Sequence, residues 1–262
     1  MANRLEEILR VKRQEVLTLK KGRGCRFARR ARGPRRDFAA AIAQNGVRLI
    51  AEIKRRSPSR GEIRDELGIE ETARTFERHG ASAISVLTDC TFFGGSLDDL
   101  ASARRVTGLP VLRKDFLVDE AQLEESKYSG ADAVLLIVAV LGRRIGTFLD
   151  RCRALDLDAL VEVHDESELH VALAEGARLI GVNNRDLTRF EVDRSTAYRL
   201  KSLIPARCIA VAESGITSRS DVIGLDDAGF DACLVGEALM RSPDIGAAID
   251  GLLGRLPVGQ AP

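Results

Sequence analysis

With 262 residues, 45% of them hydrophobic, the chain is long enough for one large α/β domain or two small ones and far from a disordered composition. Its 40 Lys and Arg nearly balance 39 Asp and Glu, so bulk charge gives no argument for a nucleic-acid or membrane partner. The five cysteines (Cys25, Cys90, Cys152, Cys208, Cys233) are dispersed without a C-x-x-C pair, which excludes a disulfide framework and reads as reduced thiols in the cytoplasm.

In chain order, Leu5, Ile8, Leu9, Val16 and Leu19 recur at near-helical spacing and predict an amphipathic N-terminal helix. Lys20–Arg36 reads as a basic loop with Gly22, Gly24, Gly33 and Pro34. Residues 1–36 hold 13 Lys and Arg against 3 Asp and Glu. Only Phe27 could stack on a base there, so the segment is expected to be a solvated, partly helical extension rather than a nucleic-acid arm. Asp37 is placed to cap a short helix over Phe38–Gln44, stopped by Asn45-Gly46.

Short apolar runs then alternate with amphipathic stretches. Strands are expected at Leu49–Ile53, Ala83–Leu87, Val111–Arg113, Ala133–Ile137, Ala159–Val163, Leu179–Val182, Cys208–Ala212 and Ala232–Val235. Helices are expected near 69–79, 97–106, 119–129, 143–154, 166–175, 194–203, 218–228 and 245–254, with Gly80, Gly108, Gly130, Gly176 and Gly229 as C-caps. The longest apolar run, Ala133–Leu141, is too short to span a bilayer. Eight such pairs give either a closed barrel or a doubly wound open sheet. Neither a G-x-G-x-x-G nor a G-x-x-x-x-G-K-[ST] loop is present, which favours the closed α/β form, a (β/α)8 TIM barrel with an N-terminal helical extension. The expected division is 1–47 as the extension packed on the barrel and 48–255 as the barrel, one structural domain overall. The tail from Leu256 is expected to fray.

Chemistry in such barrels sits at the C-terminal ends of the strands, and the unusual polar residues fall there. Strand one ends in Glu52 and Lys54, strand three in Arg113-Lys114-Asp115-Phe116, strand six in Asn183-Asn184-Arg185-Asp186 and strand seven in Glu213-Ser214-Gly215. Strand five sets Glu162 between valines. Alternation puts Glu52 and Lys54 on the face of Ile50, Lys114 on that of Leu112, Glu162 on that of Leu160, and Asn183 on that of Gly181. Converging lysines and carboxylates perturb one another's pKa and make both an acid and a base available; a structural ion pair is the competing reading. Gly215 and Gly236 follow the last two strands as backbone suited to an anion, and Glu237–Arg241 reads as a short extra helix; two ordinary strand-to-helix turns are the alternative. Phe93 and Phe116 are candidates for a flat apolar pocket. His164 and His170 do not form H-E-x-x-H, so no metal site is expected.

The motifs IAEIKRRSPSRG, SVLTDCTFFGGS, PVLRKDF, LVEVH, IGVNNRDL, VAESGI and LVGEALM, running in order from Leu49 to Arg241, resemble those of the indole-3-glycerol phosphate synthase family. The resemblance implies a carboxy-lyase of tryptophan biosynthesis that closes an indole ring with loss of carbon dioxide and water, without a cofactor or a metal. It implies Lys114 as the leading general acid, Glu162 as acid/base partner of dehydration, and Lys54 in contact with substrate and sharing the acid role. Glu52, Asn183 and Glu213 would orient the lysines and substrate hydroxyls, and Arg185 and Ser214 would bind substrate. Phe93 and Phe116 would flank the aromatic ring, while Ser57, Gly215, Gly236 and the Glu237 backbone would hold phosphate. Some relatives carry Ser where this chain has Glu237, so here the carboxylate is expected to turn away. The implied partner is a small phosphorylated substrate, with no nucleic acid or membrane, and a monomer is compatible with the sequence. Another phosphate-binding barrel, such as phosphoribosylanthranilate isomerase, is the alternative.

Overall fold

The computed structural model describes residues 4–22, 33–57, 61–64, 68–188 and 191–255. Eight strands form its centre: β1 (Arg48–Ile53), β2 (Ala83–Leu87), β3 (Val111–Lys114), β4 (Ala133–Ile137), β5 (Asp158–Val163), β6 (Leu179–Asn183), β7 (Ile209–Glu213) and β8 (Ala232–Val235). All pair in parallel with their sequence neighbours, and β8 pairs with β1 to close the barrel. The helices between them cover the outside, so both faces of each strand are buried and each strand reads as an apolar run.

Alternation sorts the side chains as expected. Leu49, Ala51 and Ile53 of β1 join the cluster between barrel and helices, with Val161 and Val163 of β5. Ile50 faces the lumen with Leu112, Leu160, Val211 and Leu234. The covering helices start on capping side chains; Ser96, Asp119, Asp165, Ser218 and Asp244 each accept a hydrogen bond from a first-turn N–H. Gly80, Gly130, Gly176 and Gly229 follow helices with positive φ. Gly108 does not. Its helix ends at Thr107 in an extended conformation, and the Gly108 N–H donates to the Glu77 carboxylate instead.

Several boundaries differ from the sequence expectation. β3 and β6 run one residue further, so Lys114 and Asn183 belong to the strands themselves, and β7 runs from Ile209 through Glu213. The helix expected over Phe38–Gln44 ends at Ile42. A two-residue antiparallel ribbon, Arg56–Ser57 with Gly61–Glu62, and one-turn helices at Cys90–Phe93 and Val138–Leu141 were not legible, because elements this short carry no period.

Over its described residues the N-terminal segment is less solvated than its charge suggested. Helix α1 (Arg4–Lys21) buries Leu5, Ile8, Val16 and Leu19, and with them Lys12. Its partners Asp89 and Asp115 follow β2 and β3, so α1 lies across the C-terminal rim of the barrel. Helix α2 (Phe38–Ile42) closes the opposite end. Phe38 and Ile42 are fully buried with the lumen residues, and the N–H groups of Phe38 and Ala39 donate to Asp158 at the start of β5. In the expected basic loop, α1 continues to Lys21, and Arg35 and Arg36 are bound to the barrel through Asp158 and the Leu109 carbonyl. The rest of that loop, 23–32, and the tail from Leu256 lie outside the described residues. Among the described residues no helix is long and apolar enough to cross a membrane.

Phe38→Ala should lower the unfolding free energy by about 3–5 kcal/mol in urea titration, because it empties a sealed part of the core. A loss below about 1 kcal/mol would show that α2 is not part of that core.

Candidate active site

Barrel interiors are filled by layers of four side chains from alternate strands. Here the layer nearest the C-terminal end is charged. Glu52, Lys114, Glu162 and Glu213 come from β1, β3, β5 and β7, each two residues beyond an apolar lumen residue (Ile50, Leu112, Leu160, Val211). Lys114 Nζ lies 2.7 Å from Glu162 Oε2 and 2.9 Å from Glu213 Oε2. Lys54, just past β1, places its Nζ 2.8 Å from Glu52 Oε1. Two glycines make room for this layer. A Cβ at Gly181 would meet Glu213 Oε1 at 2.2 Å, and one at Gly236 would meet Glu52 Oε1 at 2.4 Å.

The electrostatics follow from the crowding. Burial works to lower the Lys114 pKa, but attraction from Glu162, Glu213 and Glu52 outweighs it and holds the ammonium charged, well above its ordinary value. Burial likewise opposes ionisation of Glu162; Lys114 and His164 overcome it and hold the carboxyl well below the usual range. Glu213 goes the other way. Burial pushes it up, Lys114 only partly offsets that, and repulsion from Glu162 adds to it, so its pKa rises to about 7. Two lysines thus face three glutamates, and Glu213 is the carboxyl whose pKa the crowding raises.

His164 continues the network outward. Its Nδ1 lies 2.9 Å from Glu168 Oε2, and its Nε2 3.4 Å from Glu162 Oε1. Burial lowers its pKa, but the two carboxylates raise it to about 10. Sequence reasoning set His164 aside after weighing it only as a metal ligand. Among the described residues no group of three or more His, Cys, Asp or Glu is placed to hold a metal ion.

One cavity joins these groups to all the remaining candidates except Gly215 and Gly236, which are not among its lining residues. Phe93, Phe116, Ser57, Asn183, Arg185, Ser214 and Glu237 line it together with the charged layer and Lys54. The Phe93 and Phe116 rings are 6.2 Å apart and tilted by 34°. Leu87, Leu135, Ile137, Leu187 and Leu234 complete an apolar wall that sequence reasoning did not single out. Four of these share the inward face of their strands, a signal that was available; Leu187 sits in a loop and gave none. Asn183 Oδ1 accepts the Arg185 N–H at 3.0 Å.

Ser57 is buried in the short ribbon, and among the described residues its Oγ has no hydrogen-bond partner. Ser214 and Gly215 both adopt positive φ, and a Cβ at Gly215 would meet Val192 Cγ1 at 2.8 Å. Gly236 precedes the short helix Glu237–Arg241. The Glu237 carboxylate is drawn to Arg241, at 3.3 Å, and Arg185, at 3.8 Å. Not every polar residue at the strand ends belongs here. Arg113 points outward to Glu125, Ser126 and Asp115, and Asn184 braces the Ser214 carbonyl and the Ala197 N–H.

Residues 5–252 match the family model described as indole-3-glycerol phosphate synthase. The chain belongs to the indole-3-glycerol phosphate synthase family. It is 51% identical over 222 residues to indole-3-glycerol phosphate synthase 2 of Streptomyces coelicolor, covering 84% of this chain and 86% of that one. It is 46% identical over 248 residues to the indole-3-glycerol phosphate synthase of Pelodictyon phaeoclathratiforme, covering 92% and 97%. Among solved structures, a mutant tryptophan synthase alpha-subunit of Pyrococcus furiosus superposes with a TM-score of 0.61 at 17% identity, covering 79% of this chain and 98% of that chain. Thiamine phosphate pyrophosphorylase of the same organism gives 0.60 at 18%, covering 79% and 94%. Those two likenesses concern the barrel fold alone. The whole charged layer lies inside the span that matches the family.

The raised pKa of His164 has a consequence for stability. The folded chain keeps a proton there that the unfolded chain releases above pH 6.5, so this contribution is full below 6.5 and is lost as pH rises through about 10. His164→Gln should flatten the fall in unfolding free energy between those pH values. An unchanged slope would show that His164 is not held protonated.

Proposed function

We propose that the chain converts 1-(2-carboxyphenylamino)-1-deoxyribulose 5-phosphate into indole-3-glycerol phosphate, with release of carbon dioxide and water. The observation that carries this reading is the Lys114 ammonium, fixed between Glu162 and Glu213 in a cavity that Phe93, Phe116 and Ser57 also line.

An ammonium has three N–H donors, and two of them are committed to carboxylates. The third is available to the ketone oxygen of the substrate. Protonation there makes the ketone carbon electrophilic, so that the ring carbon bearing the carboxylate attacks it. The bond to the carboxylate then breaks, and its electron pair restores the aromatic ring as carbon dioxide leaves. Loss of the new hydroxyl as water needs one proton delivered to oxygen and one removed from carbon. Glu162, held ionised, is suited to take part as acid/base partner, with Lys54 in contact with the substrate and sharing the acid role. Glu52, Asn183 and Glu213 orient the lysines and the substrate hydroxyls, and Arg185 and Ser214 bind the substrate.

Phe93 and Phe116 flank the anthranilate ring. The phosphate sits against the Ser57 hydroxyl and the backbone at Gly215, Gly236 and Glu237, with the Glu237 carboxylate turned to Arg241 and Arg185. The chemistry is bond formation and proton transfer, and the reading assigns it no cofactor. It assigns the chain a small phosphorylated substrate, no nucleic-acid or membrane partner and a cytoplasmic setting.

The test is turnover of this substrate by the purified chain, followed through the fluorescence of the indole product. Lys114→Ala should lower kcat by at least about a hundredfold. Ser57→Ala should act mainly on KM, as loss of uniform binding does. Wild-type turnover in Glu162→Gln would overturn its assigned role, and an unchanged KM in Ser57→Ala would move the phosphate elsewhere.

A further inference from the structure

Lys12 is 1% exposed, although it lies on a surface helix in the most basic part of the chain. A buried ammonium must have its charge paired and its donors used. Here the ammonium is ion-paired with Asp89 Oδ2 at 2.7 Å and Asp115 Oδ1 at 2.9 Å, and it donates to Glu15 Oε2 at 2.9 Å. The two aspartates are themselves buried, and each also holds the backbone of an aromatic residue of the cavity. Asp89 Oδ1 accepts the N–H groups of Phe92 and Phe93, which starts the one-turn helix carrying Phe93. Asp115 Oδ1 accepts the N–H of Phe116 at 2.8 Å. The loops after β2 and β3 thus meet at one ammonium supplied by α1, and the two rings they carry face each other across 6.2 Å.

We infer that Lys12 is a positioning residue that sets the spacing of the Phe93 and Phe116 rings, so that the N-terminal helix tunes recognition of the aromatic part of the ligand and not of its phosphate. The inference rests on the ring-closing reading above. Its two aspartates are not equivalent. Asp115 keeps Arg113 and Thr88 when Lys12 is removed, whereas Asp89 loses its cation. The Phe93 loop is therefore the one that shifts. Small displacements of groups that hold a ligand are enough to cost one to two orders of magnitude.

The test compares two ligands, indole-3-glycerol phosphate and inorganic phosphate, by calorimetric titration of the full chain. If the wild type does not bind the indole product, the functional reading fails and not this one. Lys12→Met should weaken product binding at least about tenfold, leave phosphate affinity within about twofold, and raise KM more than it lowers kcat. Lys12→Arg, which keeps the charge, should recover most of the product affinity. Glu15→Gln, which cuts only the exposed contact, should change neither ligand. Should Lys12→Met not fold, Asp89→Asn carries the test, since it keeps the backbone acceptor and removes the charge; the same selective loss is expected. Equal loss of both ligands, or loss of neither, overturns the proposal.

Discussion

The structure depends on one ammonium shared by two buried carboxylates. Lys114 with Glu162 and Glu213 occupies a position that in an ordinary barrel would hold aliphatic side chains. Taking such charges out of water is costly, and replacing them by packed apolar residues would often stabilise a protein. Their presence one layer above Ile50, Leu112, Leu160 and Val211 therefore reflects the chemistry of the site and not the needs of the core. The rest of the interior accommodates this layer: Gly181 and Gly236 yield the volume that Glu213 and Glu52 occupy, and Ser85 in place of a larger apolar residue lies beside Glu52.

The same crowding separates the roles of two chemically identical groups. Glu162 is held ionised by Lys114 and His164, whereas Glu213 is pushed to about 7 by burial and by its neighbour's charge. One site thereby holds a proton acceptor and a proton reserve a few ångströms apart at neutral pH, which is what a reaction with successive proton deliveries and removals requires. The apolar wall of Phe93, Phe116, Leu135 and Ile137 supplies the low dielectric that keeps these interactions strong.

Much of this was legible in the sequence because two periods sufficed. The alternation of buried strands placed Glu52, Lys114 and Glu162 on lumen faces, and eight alternating units without a nucleotide loop favoured a closed barrel over an open sheet. What escaped was whatever depends on contacts far along the chain. Lys12 occupies the gap in the apolar stripe between Ile8 and Val16, but a lysine there reads as solvent-facing until Asp89 and Asp115 are seen beneath it. The roles of Gly181 and Gly236 as space for carboxylates are steric facts between strands that the register alone reveals. Arg113 and Asn184 share the rim but not the site: strand alternation points Arg113 to the helices, and Asn184 ties two backbone segments together.

The central claim is the division of charge within this layer, and carboxyl carbon NMR of protein labelled at glutamate tests it most directly. One glutamate resonance should titrate near pH 7 and vanish in Glu213→Gln, while Glu162 stays ionised well below the ordinary carboxylate range. If every glutamate titrates near 4.5, the carboxylates are not coupled through Lys114 and the account is wrong.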